Sequence, residues 1–152
     1  MTESRRARVA SLLAALERAY PDAHCELTFK NPFQLLVATV LSAQSTDVVV
    51  NQVSPGLFRR WASPKALGAA DTAEVEEVLA RLGMYRQKAK HIVGLSQAIT
   101  EQHGGRVPES LDELVKLPGV GRKTANVVLV RFVYLQPGAI LRRVEAGSRR
   151  VP

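Results

Sequence analysis

Between Pro32 and Leu41 the chain reads Pro-Phe-Gln-Leu-Leu-Val-Ala-Thr-Val-Leu, with almost no polar face. Pro32 sits where a first helical residue is favoured, because its missing N–H would be unpaired there anyway. A helix that is apolar nearly all round has to be enclosed, so this segment predicts the buried centre of a fold. The segments around it repeat at helical intervals as well. Val9, Leu12, Leu13, Leu16 and Tyr20 alternate with arginine and glutamate up to Pro21. The polar run Ser42–Asp47 breaks the central helix. Val50, Val53, Leu57 and Trp61 then resume the pattern, with Pro55-Gly56 expected to kink or split that helix.

Ser63-Pro64 opens a short helical turn. Asp71 with Glu74, and Ser110 with Glu113, read as capping boxes. The first starts a helix ending at Leu82-Gly83, and the second a short helix that stops at Pro118. Between them a helix runs from Tyr85 to His103, closed by Gly104-Gly105, and a last one runs from about Arg122 to Phe132. Strand signals are scarce and there is no internal repeat. All-α is the class that fits.

Composition narrows the rest. At 152 residues the chain suits one domain with a real core, and 46% apolar content argues against disorder. No apolar run approaches the ~18 residues of a membrane span. The N-terminal Met1-Thr2-Glu3-Ser4-Arg5-Arg6 leads straight into an amphipathic pattern, unlike a signal peptide, so a cytoplasmic protein with no membrane partner is expected. Cys25 is the single cysteine, which excludes an internal disulfide and a thiolate metal cluster. The net charge is +7, a hint of a polyanionic partner. The hint is weak, because more than half of it comes from Arg131, Arg142, Arg143, Arg149 and Arg150, set against Glu145.

The most informative motif is Leu117-Pro118-Gly119-Val120-Gly121-Arg122-Lys123-Thr124-Ala125. Pro118 ends one helix, and two glycines flank one apolar residue. Glycine permits positive φ and a close approach of backbone to a ligand. Val120 should point into the core and fix the turn. The next helix then starts with its free N–H groups outward, ready for a phosphate oxygen, with Arg122 and Lys123 adding charge. Such a device grips nucleic-acid backbone without reading bases. An ordinary helical corner with a glycine-rich turn is the plain alternative.

LPGVGRKTANVVL resembles the helix–hairpin–helix signature of endonuclease III-type DNA glycosylases. Pro32-Phe33 through LLVATVLSAQSTD to Asp47 resembles the same family's central helix and following loop, and RLGMYRQKA at 81–89 a third family segment. The likeness spans roughly residues 5–129. It implies an all-α helical bundle of the helix–hairpin–helix glycosylase type, and a protein of base-excision repair. Such proteins remove oxidised pyrimidines from double-stranded DNA and nick the abasic site by β-elimination. On this likeness Lys123 is the catalytic nucleophile, attacking the sugar C1′ and forming a Schiff base. Pro118, Gly119, Val120, Gly121, Arg122 and Thr124 bind the DNA backbone. Gln44 fills the gap left by a flipped-out nucleotide, and Met84 stands at the family's apolar wedge. Asp47 matches an acidic loop residue, although its spacing reads as the N-cap of the next helix. Lys88 and Lys90 could meet phosphates or line a solvated helix face.

The likeness implies a carboxylate shortly after the lysine, at about Leu141. The only acidic residue beyond Lys123 is Glu145, in an unrelated context. The family's C-terminal helices and its four-cysteine 4Fe-4S cluster have no counterpart here, so no cofactor and no metal site are expected. Without those helices, the Val9, Leu12, Leu13 and Leu16 stripe should be exposed or covered by something else. The chain therefore divides into an amphipathic helix over 1–21, a helical DNA-binding/glycosylase domain over 22–133 with its helix–hairpin–helix at 110–133, and an Arg-rich tail over 134–152. The tail reads as a truncation or a shift of reading frame near residue 130. Three readings follow: a monomeric glycosylase/lyase by descent acting on damaged or abasic double-stranded DNA, a non-catalytic helix–hairpin–helix DNA-binding domain, and a helical domain whose hairpin is incidental.

Overall fold

The structure is a computed structural model that describes residues 3–19 and 27–134, with backbone alone at 3, 4, 133 and 134. The helices are α1 (Glu3–Ala19), α2 (Pro32–Leu41), α3 (Asp47–Arg60), α4 (Pro64–Gly68), α5 (Thr72–Leu79), α6 (Tyr85–Gln102), α7 (Leu111–Leu114) and α8 (Arg122–Leu129), followed by a π-helical turn, Val130–Tyr134. No strand occurs among the described residues, and the protein is all-α. The described residues fall into two compact units, one within 26–129 and the other made of α1 with the turn that begins at Val130.

Within 26–129, α2 is the centre, as its sequence demands. Leu35, Leu36, Val37, Ala38 and Leu41 are fully buried. Asn31 caps the helix by accepting from the Gln34 amide at 2.9 Å, and Pro32 is its first residue. Helices α3, α6 and α8 pack against it. The long α6 also carries α4 and α5. Its approach to α4 is close: a Cβ on Gly68 would lie 3.0 Å from the Gln97 backbone N. Gln97 in turn donates through Nε2 to the Gly68 carbonyl at 2.9 Å. Phe33 and Phe58 meet edge to face at 6.2 Å, joining α2 to α3.

Three local expectations are corrected. Helix α3 is not split at Pro55-Gly56 but runs from Asp47 through Pro55 to Arg60. Val50, Val53, Leu57 and Phe58 bury on either side of the proline, and that packing outweighs one missing backbone bond. The capping boxes form only half. Asp71 accepts from the Ala73 amide and Ser110 from the Glu113 amide. The glutamates turn away, Glu74 toward Arg60 at 3.7 Å and Glu113 toward Lys116 at 3.3 Å. Finally, α5 ends at Leu79, and Leu82 closes only a turn back to the Leu79 carbonyl.

Helix α1 shows Leu12 and Leu16 exposed, and Val9 and Leu13 half-buried. Tyr20, Pro21, Cys25, Leu141, Glu145 and nearly all of the 134–152 tail lie outside the described residues. Among the described residues no helix is long and apolar enough to cross a membrane.

Candidate nucleic-acid interface

The link from α7 to α8 is a tight turn pinned at two apolar points. Leu117 and Val120 are buried, and both Pro118 and Gly119 between them are exposed. The Leu117 amide donates to Leu114 O at 3.1 Å and the Val120 amide to Leu117 O at 3.2 Å. Val120 thus turns inward, as the motif requires. Gly119 is forced to be glycine twice over. Its φ is +73°, and a Cβ there would lie 2.7 Å from both Cβ and Cγ of His91 on α6. One turn further along α6, Gly94 clears room for the Pro118 ring, whose Cγ would be 3.3 Å from an added Cβ. The turn is therefore seated on a helix that the core holds rigidly.

Gly121 has a different environment. It is exposed, and a Cβ there would meet nothing within 4 Å. The first backbone bond of α8 runs from the Ala125 amide to the Gly121 carbonyl at 3.0 Å. The amides of Arg122, Lys123 and Thr124 therefore precede the helical ladder, with no partner inside the helix. Arg122 and Lys123 are exposed, and Thr124 is half-buried. Amides without an intrahelical partner, a positive helix end and two exposed cations share one small surface.

A second group forms around the loop after α2. Gln44 and Met84 are the non-glycine residues with positive φ among the described residues, at 56° and 57°. They are neighbours in space: a Cβ on Gly83 would lie 3.4 Å from the Gln44 carbonyl oxygen. Gln44 is exposed, and Met84 is 52% exposed. Met84 is also the N-cap of α6, without a side-chain cap.

The residues given a catalytic or DNA-binding role fall within the 26–129 unit, as two groups: Pro118–Thr124 on the turn, and Gln44 with Met84 on the paired loops. Asp47 is the first residue of α3 and not its cap; Thr46 has that role, accepting from the Val49 amide at 3.3 Å. Lys90 is exposed, but Lys88 is not on a solvated face. It is 4% exposed, and its Nζ donates to Ser45 Oγ at 2.9 Å. Burial holds its pKa below the ordinary lysine value. Sequence reasoning also missed His91, whose contact with Gly119 no local pattern announces. No group of three or more His, Cys, Asp or Glu suited to a metal occurs among the described residues.

A pinned glycine turn leading into an exposed cationic helix end, on an all-α bundle, defines a helix–hairpin–helix protein. Residues 37–147 match the family model of the HhH-GPD superfamily base excision DNA repair proteins, and the chain belongs to that family. Among its relatives, it is 48% identical over 126 residues to endonuclease III of Synechocystis sp., covering 83% of this chain and 58% of the relative. Against endonuclease III of Bacillus subtilis it is 47% identical over 132 residues, covering 87% and 60% respectively. The fold is similar to that of an endonuclease III in a trapped covalent intermediate with DNA, with a TM-score of 0.72 and 45% identity, over 82% of this chain and 59% of that one. The chain thus spans a little under two thirds of the length of these relatives.

Proposed function

We propose that this chain grips double-stranded DNA at damaged or abasic sites and that Lys123 is the nucleophile of a glycosylase/AP lyase reaction. The observation that carries the reading is the exposed Lys123, at the start of a helix whose first amides have no partner within it and which follows a pinned glycine turn. Amides there suit a phosphate oxygen, with Arg122 adding charge and Pro118, Gly119, Val120, Gly121 and Thr124 shaping the grip. A held backbone brings the sugar of a flipped nucleotide to the amine. Gln44 and Met84 would enter the emptied stack and offset its loss of stacking.

The chemistry needs the neutral amine. At an oxidised pyrimidine the Nζ–C1′ bond forms as the C1′–base bond breaks, and the base leaves with a proton. The sugar ring then opens to a Schiff base. At a site already abasic, the amine condenses directly with the C1′ aldehyde and water is lost. On either route, removal of a 2′ proton breaks the C3′–O bond, expels the 3′ phosphate and nicks the strand. Water then hydrolyses the Schiff base and frees Lys123. The abasic route starts from an electrophilic aldehyde and needs no base to depart, so it asks less of a carboxylate.

Relatives of this type hold a 4Fe-4S cluster on four cysteines, and these 152 residues contain one. They cannot supply such a ligand set, and no step above runs through it. The reading puts the protein in the cytoplasm, on the nucleoid, as a monomer. A second reading, a DNA-binding module without catalysis, is favoured by the single acidic residue, Glu145, after Lys123.

Borohydride reduction on an abasic duplex separates the two. A covalent adduct that disappears in Lys123→Ala supports the lyase. Salt-sensitive duplex binding with no adduct supports the module. Binding that neither weakens with salt nor depends on the turn would defeat both.

A further inference from the structure

Gln44 and Met84 sit on two different loops, each in a left-handed backbone conformation that favours glycine. Something has to hold this pair of loops in place. Lys88 touches both. Its backbone N–H donates to the Met84 carbonyl at 3.0 Å, and its Nζ donates to Ser45 Oγ at 2.9 Å, 43 residues away in sequence. Ser45 is bonded to Gln44 in the chain, so one lysine joins the carriers of both exposed side chains. No carboxylate pairs with Lys88 among the described residues. Burying an ammonium beside a neutral hydroxyl is unfavourable for folding, and a methionine of similar length would fill the space without that penalty. Packing alone does not call for a lysine here.

We infer that Lys88 is a positioning residue that ties the Gln44 loop to the Met84 loop and so sets the spacing of the two side chains that enter the duplex. The inference rests on the duplex-entry roles proposed above for Gln44 and Met84. In this arrangement the amide of Lys88 fixes the Met84 end, and its ammonium fixes the Ser45 end. Loss of either partner frees the Gln44 loop to turn about its left-handed residue. The two side chains then reach the stack at variable separation, and filling the gap carries an ordering penalty that the tied loops avoid.

The test uses the full chain and a duplex bearing one tetrahydrofuran abasic analogue, with 2-aminopurine opposite it. Affinity relative to the undamaged duplex measures preference for the gap, and 2-aminopurine fluorescence reports displacement of the orphan base. Lys88→Met and Ser45→Ala should each lower that preference about tenfold, the worth of one charge-assisted hydrogen bond. The double variant should fall no further than either single one. The fluorescence change on binding should shrink in parallel. The melting temperature of Lys88→Met should stay at or above that of the parent, which a structural lysine would not allow. Ser45→Ala alters a partly exposed loop and tests the same tie without touching the buried lysine. Additive losses, retained preference in both single variants, or a Lys88→Met chain that no longer folds would each overturn the inference. Gln44→Ala and Met84→Ala are measured alongside. If those two keep the preference, the duplex-entry reading fails and the tie goes with it. If they lose it while Lys88→Met and Ser45→Ala do not, the tie alone is wrong.

Discussion

Gly119→Ala separates the part of the hairpin that holds the fold from the part that meets a ligand. The methyl group would arrive 2.7 Å from His91 Cβ and Cγ and 2.9 Å from its Nδ1. Those atoms stand at the base of a side chain on α6, so they cannot swing clear as a flexible tip would. Left-handed backbone costs alanine about 1–2 kcal/mol, and overpacking adds roughly 1–3 kcal/mol. A total of about 3 kcal/mol is a large share of the ~5–15 kcal/mol that stabilises a typical domain. The midpoint of thermal unfolding, followed by circular dichroism, should drop on the order of 10 °C. Gly121→Ala is the control, because its Cβ meets nothing within 4 Å. That variant should melt within about 2 °C of the parent, yet bind duplex DNA more weakly, since the methyl would occupy the space that the proposed phosphate contact uses. Equal melting of parent and Gly119→Ala would refute the close contact with His91. Equal losses in both variants would refute the division of labour between the two glycines.

Other outcomes follow from the same geometry. Gly68→Ala should destabilise by about 1–3 kcal/mol in denaturant titration, because its Cβ would press on the Gln97 backbone N at 3.0 Å. Gly56→Ala, in open space within α3, should instead stabilise by up to ~1 kcal/mol. Arg122→Ala should reduce the slope of log affinity against log salt by about one, measured on undamaged duplex. The Lys88 proton gives a pH signature. Its folded pKa is lowered by burial, so between that value and the ordinary lysine value the unfolded chain holds more protons. Stability attributable to Lys88 is therefore least at neutral pH and rises as pH climbs through its lowered pKa. Parent and Lys88→Met unfolding curves compared from neutral to alkaline pH should converge in that direction; a gap independent of pH would contradict it.

What could be read in the sequence was what neighbouring residues decide. Pro32 starts α2, Ser63-Pro64 starts α4 and Gly104-Gly105 closes α6 because each depends on a few adjacent backbone groups. Leu117 to Thr124 was legible for the same reason: the chemistry of the turn is local. Pro55 does not split its helix because its local penalty is outweighed by the burial of Leu57 and Phe58, which belongs to the assembled core. Lys88 was out of reach in a different way. Its partner Ser45 is 43 residues away, and a lysine in an amphipathic pattern reads as solvated until the loop that covers it is known. The same holds for His91 beneath Gly119, and for the left-handed backbone of Gln44 and Met84, which no composition rule marks.

That left-handed pair has an evolutionary consequence. Mutation to glycine at 44 or 84 would relax the main chain by as much as about 1 kcal/mol, and it would also delete the side chain. Laboratory selection for heat resistance alone should drift toward glycine at both positions, whereas, on the duplex-entry roles proposed for them, selection for survival of DNA damage should hold them as they are. The tension between those two pressures would be written in the main-chain torsions of two residues.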